Sequence, residues 1–440
     1  MKYRFILILL AVFMAAAGAA NLQAQQVTER AQQALVTEQT QQALVTERAQ
    51  EVLADKALEV LVEAGKNFAM EGDYEKANEA LSAAIKLDPK NPELYILRAR
   101  INFAGTSDAT VEDDFSGLIY TLGGGKPSDE QIKKYDLVIE DLNKALELNP
   151  NDANTYIRRG RVKAEKGDLD SAISDYSKAL DLDSESIRAY NGRGNAYTDK
   201  GEYDNAIKDF SEAVRLHPSY AEGFNNRGYA NLLKGDTDKA ITDFSEAIKL
   251  DPEFTMAYNN RGLAYIDKKD YNKALPDFDK AIEQNSEYTR AYNGRATAQA
   301  GKQDYDKAIA DYTEALKRDP KFARAYNGRG SAYLNKKDYD SSISDFNEAI
   351  KYDPQNASAY NSRGLAYAYK GDYRRAIADY TKAIDLNPES AMAYNNRGVE
   401  YHARRDYNNA IADYQSALNI DRNNATARRN LEEAQRAQGR

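Results

Sequence analysis

At 440 residues the chain exceeds what one ordinary hydrophobic core organises, yet its 32 Tyr, absent Trp and absent Cys point to many copies of one small unit. The lack of cysteine excludes disulfides, thiolate metal sites and an N-terminal lipid-modified Cys, and two histidines, His217 and His402, cannot make a metal or acid–base set, so no cofactor and no metal is expected. A formal charge of -9 argues against nucleic acid as a partner, because Lys and Arg contacts to phosphate supply most of that affinity.

The chain opens with Lys2 and Arg4, an apolar run from Phe5 to Ala20, and small residues ending near Ala24, the pattern of an export signal over residues 1–24. The run is short for a membrane span, so the mature chain is expected to carry none and to reside in a bacterial periplasm, with secretion or an uncleaved anchor as alternatives. Loss of Lys2 and Arg4 moves the formal charge from -9 to -11. Residues 27–53 then hold three nine-residue copies, VTERAQQAL, VTEQTQQAL and VTERAQEVL. Each presents a helical face, but nine residues make two and a half turns, so successive copies point to opposite sides. Residues 25–57 therefore read as a partly helical stalk with no single burying face.

From residue 58 to 424 a period of 34 residues takes over, with repeats 1 to 10 beginning near 58, 92, 153, 187, 221, 255, 289, 323, 357 and 391. In repeat 4 the marked residues are Tyr190 at position 4, Gly194 at 8, Tyr197 at 11, Tyr203 at 17, Ala206 at 20, Phe210 at 24, Ala213 at 27 and Pro218 at 32. Positions 4, 8 and 11 form one stripe of a first helix, and 20, 24 and 27 form one stripe of a second. Small residues at 8, 20 and 27 let two helix axes approach, and rings at 4, 11 and 24 fill the space between them. A turn such as Lys200-Gly201-Glu202 separates the helices, and one hairpin cannot bury its apolar face without stacking on neighbours. Pro276, at position 22, is expected to kink its helix. Repeat 2 carries an insertion of about 27 residues at 104–130, and residues 425–440 supply a polar capping helix and tail.

These residues resemble the tetratricopeptide repeat family, over about residues 58–424. Tyr or Phe stands at position 4 where the family has Trp, Arg at position 7 where it has Leu, and Ala296 at position 8 where it has Gly. The resemblance implies an all-α, right-handed superhelical solenoid of about ten hairpins, with positions 2, 5, 6, 9 and 12 on the concave side. It also implies a scaffold that performs no chemistry itself and engages a protein or peptide partner.

Three patterns compete for function. The insertion contains Gly123-Gly124-Gly125-Lys126-Pro127-Ser128, which fails as a phosphate-binding loop: Tyr120 stands where a Gly is needed and Pro127 where a Ser or Thr is needed. Arg at position 7 and Asp at position 23 occur together in nine repeats, including Arg193 with Asp209, Arg227 with Asp243 and Arg261 with Asp277, and both are missing from repeat 1. Structural pairing of guanidinium and carboxylate within each hairpin is the expected role.

Asparagine at position 5 recurs as Asn191, Asn225, Asn259, Asn293, Asn327, Asn361 and Asn395, about 100° from position 4 and off the packing stripe. A carboxamide donates and accepts, so these side chains can hold any peptide backbone; alternatively they bond to neighbouring repeats and stiffen the stack. Tyr229, Leu232, Met256, Leu263 and Ile266 would add an apolar patch beside them, or else contacts between adjacent first helices. The expected function is an exported scaffold binding extended peptide segments. A self-assembling or envelope-associated structural protein is the alternative, and the recognition arm of an enzyme complex is the weaker one, since the insertion is too small for a catalytic domain.

Overall fold

A computed structural model describes residues 22–104 and 127–439; the expected export signal up to residue 21, and residues 105–126 of the insertion with their glycine run, lie outside the described residues. The described residues form 21 α-helices and no strand. They divide between Lys200 and Gly201 into two compact units, each an array of helical hairpins. The division falls within repeat 4, between its helices Ile187–Asp199 and Tyr203–Leu216.

The nine-residue copies are not a separate element. They belong to one 49-residue helix, Leu22–Met70, about 70 Å long at 1.5 Å per residue. Residues 36–57 are exposed throughout, as alternating faces require, and only the last turns are covered, where Leu58, Leu61 and Val62 pack against Ala84, Ile85 and Leu94. The stalk thus runs unbroken into the first helix of repeat 1.

Each hairpin is set by its turn. Position 15 is left-handed wherever it is described: Gly167, Gly235 and Gly371 satisfy it without strain, and Lys269, Gln303, Lys337 and Arg405 adopt φ between 59° and 66° there. An Asp at the next position then caps the second helix; Asp270, Asp304 and Asp338 accept the N–H three residues on. At the far end the Asp or Asn before the next repeat, such as Asp251 or Asn285, accepts the N–H two residues on. The helix Tyr271–Gln284 runs through Pro276 without a break, and Asn272, whose carbonyl loses its donor, is exposed to water.

Packing follows the expected stripe and adds a second one. Phe210, Phe244, Phe278 and Phe346 at position 24 are fully buried, and a Cβ on Gly228 or Gly262 would sit 2.8 Å from the ring of Phe244 or Phe278. The added stripe is Ala at positions 3 and 10 of the first helix. Ala291 and Ala298 of repeat 7 pack on Ala274, Phe278 and Ala281 of repeat 6, and Ala325 of repeat 8 packs on Tyr312 and Ala315 of repeat 7. These alanines carry the stacking between the hairpins at those joints. In repeat 10 position 10 is Glu400, which is 6% exposed and whose carboxyl is pushed above its ordinary range by burial.

Ser128, at the end of the glycine run, is the N-cap of the helix Asp129–Leu148 in a reciprocal box with Gln131. Among the described residues no helix is long and apolar enough to cross a membrane.

Candidate functional site

The position-7 arginines fix the first helices relative to their neighbours. Arg227 and Arg261 grip Asp243 and Asp277 through two parallel bonds of 2.6–3.0 Å. The remaining Nη1 of each reaches the preceding repeat, at Ser211 and Ser245, and the guanidinium lies over the ring at position 4, Phe224 or Tyr258. One side chain therefore ties its own hairpin, the previous hairpin and an aromatic ring together. The carboxylate bond raises the Arg261 guanidinium further above its ordinary value. In the first unit Arg98 and Arg159 bridge Asp141 and Asp175 in the same way, Arg98 across the insertion. Arg193 belongs to the first unit, where it donates to Ser177 and lies over Tyr190, while Asp209 is buried in the second.

A second ladder lies outside. Lys at position 14 bridges the acid at position 18 of the preceding repeat: Lys166 to Asp136, Lys234 to Asp204, Lys268 to Asp238, Lys336 to Asp306 and Lys370 to Asp340. These pairs are exposed, and each contributes little to stability.

The position-5 asparagines are mostly covered: Asn225, Asn259 and Asn361 are buried, and Asn191, Asn293, Asn327 and Asn395 are half-buried. Their bonding follows a register of 35 residues. Asn260 donates to Asn225 at 3.0 Å, Asn396 to Asn361 at 3.1 Å, and Asn430 of the capping helix to Asn395 at 3.0 Å. An Asn at position 6 of the following repeat thus answers the Asn at position 5. Asn225 completes its amide with Asn226 at 3.2 Å and a long contact of 3.9 Å to the Met256 sulfur.

The zipper stops in the middle of the second unit. In the same register Asn259, Asn293 and Asn327 meet Gly294, Gly328 and Ser362. The Oδ1 atoms of Asn259 and Asn327 are buried with no partner. A Cβ on Gly294 would lie 2.3 Å from the Phe278 ring and one on Gly328 2.4 Å from the Tyr312 ring, so the ring would have to shift to admit a side chain at either place. Above Gly328 opens a cleft of about 400 Å³, lined by Asn293 and Thr297 of repeat 7 and by Arg324, Asn327, Ser331 and Asn335 of repeat 8, with Tyr312 in its wall. Thr297 Oγ1 and Tyr312 Oη lie 3.1 Å apart, and burial raises the Tyr312 phenol, so it stays neutral.

The five apolar residues singled out in the sequence are all half-buried. Tyr229 and Leu232 are half-buried against Ala240, Phe244 and Ala264; Leu263 and Ile266 are half-buried against the cluster of Ala274, Phe278 and Ala291. The apolar side chains left exposed on first helices are others, among them Met392 at 58% and Val399 at 41% in repeat 10. Arg324 stands at position 2, which the family resemblance places on the concave side, whereas the glycines at position 6 were not singled out from sequence. The signal was present in the alternation of Asn and Gly at position 6, which has meaning only once the 35-residue register is known.

Tetratricopeptide repeat profiles match residues 62–108 and 293–357, and residues 221–254, 256–288, 357–390 and 391–424. A TPR repeat profile matches residues 160–198 and 194–235. A search of curated protein sequences returned no match. Among solved structures, a chain of the APC/C hetero-tetramer Cut9-Hcn1 is 16% identical, with a TM-score of 0.52 over 86% of this chain and 76% of that one. YrrB, a TPR protein with an unusual peptide-binding site, is 23% identical over 45% of this chain and 99% of its own, with a TM-score of 0.35. MamA is 31% identical over 38% of this chain and 96% of its own, with a TM-score of 0.34.

Proposed function

Because this chain belongs to the tetratricopeptide repeat family, we propose that it is an exported, non-enzymatic scaffold that holds an extended peptide segment of another protein on the first-helix face of its second unit. The observation that carries this reading is the interrupted zipper. Three consecutive position-5 amides, Asn259, Asn293 and Asn327, face a Gly or Ser where their counterparts face another Asn, and two of them keep buried acceptors unanswered. A buried polar atom without a partner costs about 1–3 kcal/mol, a cost that a peptide N–H entering the cleft would relieve at Asn327, the one of the two that lines it. An extended backbone offers such donors at regular intervals whatever its side chains are.

The test is selection from a random peptide display library. The wild-type chain should select binders, and Asn335→Trp, which fills the cleft from an exposed position, should select none, while Lys382→Trp on an exposed second-helix position should behave as wild type. If wild type selects nothing, or if Asn335→Trp selects as well as wild type, the cleft is not the binding site. Export rests on Lys2, Arg4 and the run from Phe5 to Ala20; mass spectrometry of the protein from a fractionated bacterial host should give an N-terminus near residue 25, and an intact Met1 in the cytoplasm would overturn it.

Self-assembly is favoured by one separate observation, the exposed Val36, Val45, Val52 and Leu53 on the stalk, each at least half exposed. Sedimentation of residues 25–440 against 58–440 decides it: association that disappears with the stalk supports assembly, and a monomer in both cases removes it.

A further inference from the structure

We infer that two clefts of the second unit, one between repeats 4 and 5 and one between repeats 6 and 7, each receive the side chain of a tyrosine from a partner protein. They share no residue with the cleft between repeats 7 and 8 and do not depend on the reading proposed for it.

The reference for each cleft is the chain itself. Position 11 of the first helix carries a ring in repeats 6, 8, 9 and 10, as Tyr265, Tyr333, Tyr367 and Tyr401, and an amide in repeats 5 and 7, as Asn231 and Gln299. The clefts open at those two amides, about 350 Å³ beside Asn231 and about 190 Å³ beside Gln299. Both are walled by the same repeat positions: 7, 11, 14, 16 and 19 of one repeat, and 21 and 25 of the repeat before. Positions 7 and 19 also face the ring where there is one. Lys273, at 19, stands 5.6 Å from the centre of Tyr265; Arg375, at 19, stands 5.4 Å from Tyr367; and Arg397, at 7, stands 5.9 Å from Tyr401. A cation this near a ring is attracted to its face.

The cations of the two clefts are held in the same way. Asp270 binds Lys273 at 2.9 Å while that lysine also covers Tyr265, and Asp236 and Asp304 bind Lys239 and Lys307 at 2.7 Å with the same spacing of three residues. A ring entering either cleft therefore meets a fixed cation, and an aliphatic side chain gains no such attraction. The amide then chooses between aromatic side chains. A ring arriving from solvent leads with the end opposite its attachment, which in tyrosine is the hydroxyl. Gln299 Oε1 is buried with no partner, so it can accept that O–H, whereas phenylalanine would leave it unanswered.

The experiment uses the chain from residue 25 to 440 and p-cresol, the tyrosine side chain as a free molecule, in equilibrium dialysis. Wild type should bind two per chain. Asn231→Tyr and Gln299→Tyr should each bind one, and the double variant none. Both substitutions restore the ring of the sister repeats, so these variants should unfold at or above the wild-type temperature. Asn335→Trp, which fills the cleft between repeats 7 and 8, should still bind two. In the Asn231→Tyr background, Gln299→Leu should weaken p-cresol by about tenfold and leave toluene unchanged. N-acetyltyrosinamide should displace p-cresol from both clefts, and 4-methylcyclohexanol should displace none. No binding by wild type overturns the inference, as does binding that survives in the double tyrosine variant or disappears in Asn335→Trp. Displacement by 4-methylcyclohexanol overturns the aromatic assignment, and an unchanged p-cresol affinity in Gln299→Leu overturns the choice of tyrosine. Failure of N-acetyltyrosinamide to compete identifies clefts for free phenols and overturns the partner side chain.

Discussion

Repeats 5 and 6 and repeats 7 and 8 are the same hairpin twice over, with the same Arg–Asp bridge and a buried aromatic ring at position 24, yet their first-helix faces behave differently. Between repeats 5 and 6, Asn260 closes on Asn225 and the face is finished. Between repeats 7 and 8, Gly328 stands in that place, the Tyr312 ring fills the space below it, and Asn293 and Asn327 line a cleft. The hairpin interior is thus conserved in its physics while the outer face is tuned by one side chain per repeat. Stability resides in the bridge and the alanine stripe, and in the proposed function recognition resides in what is left unpaired.

The comparison can be broken at its common element. Arg261→Ala and Arg329→Ala should each destabilise by about 3 kcal/mol in urea denaturation, because each leaves a buried Asp277 or Asp345 without its cation. A large difference between the two would mean that the closed and open regions do not share one framework. Asn260→Gly tests the zipper directly. It strips the donor from a buried Asn225 and adds a helical glycine, with an expected loss of about 2 kcal/mol. A neutral result would show that the Asn–Asn bond does not stiffen the stack.

Repeat 10 sharpens the point from the other side, since its zipper is intact but Glu400 replaces the stacking alanine. Glu400→Ala should stabilise by about 1–2 kcal/mol at neutral pH. Burial raises this carboxyl's pKa, so the ionised form is the unfavourable one. The gain should be small below the unfolded value near 4.3, grow as pH rises through the folded value, and then level off. A gain that shrinks with rising pH would overturn the account. The smallest effect is expected at the turns: Lys337→Gly should add about 1 kcal/mol by relieving a left-handed residue, with peptide selection unchanged.

The sequence by itself determined the hairpin. A 34-residue period with small residues at 8, 20 and 27 admits few packings, because helical spacing converts directly into faces. It also determined the Arg–Asp pairing, since Arg227 and Asp243 recur with a fixed 16-residue offset inside one hairpin. Tertiary structure decided what crosses from one repeat to the next. The Nη1 bond from Arg261 to Ser245, the stacking of Ala291 on Phe278 and the bond from Asn260 to Asn225 join residues whose relation depends on how hairpins slide past one another, and no helical periodicity encodes that offset. The same offset decided that Leu263 and Ile266 fill space between helices and that Asn327 opens on a cleft. A side chain's fate at a stacking surface is fixed by what the next repeat brings against it.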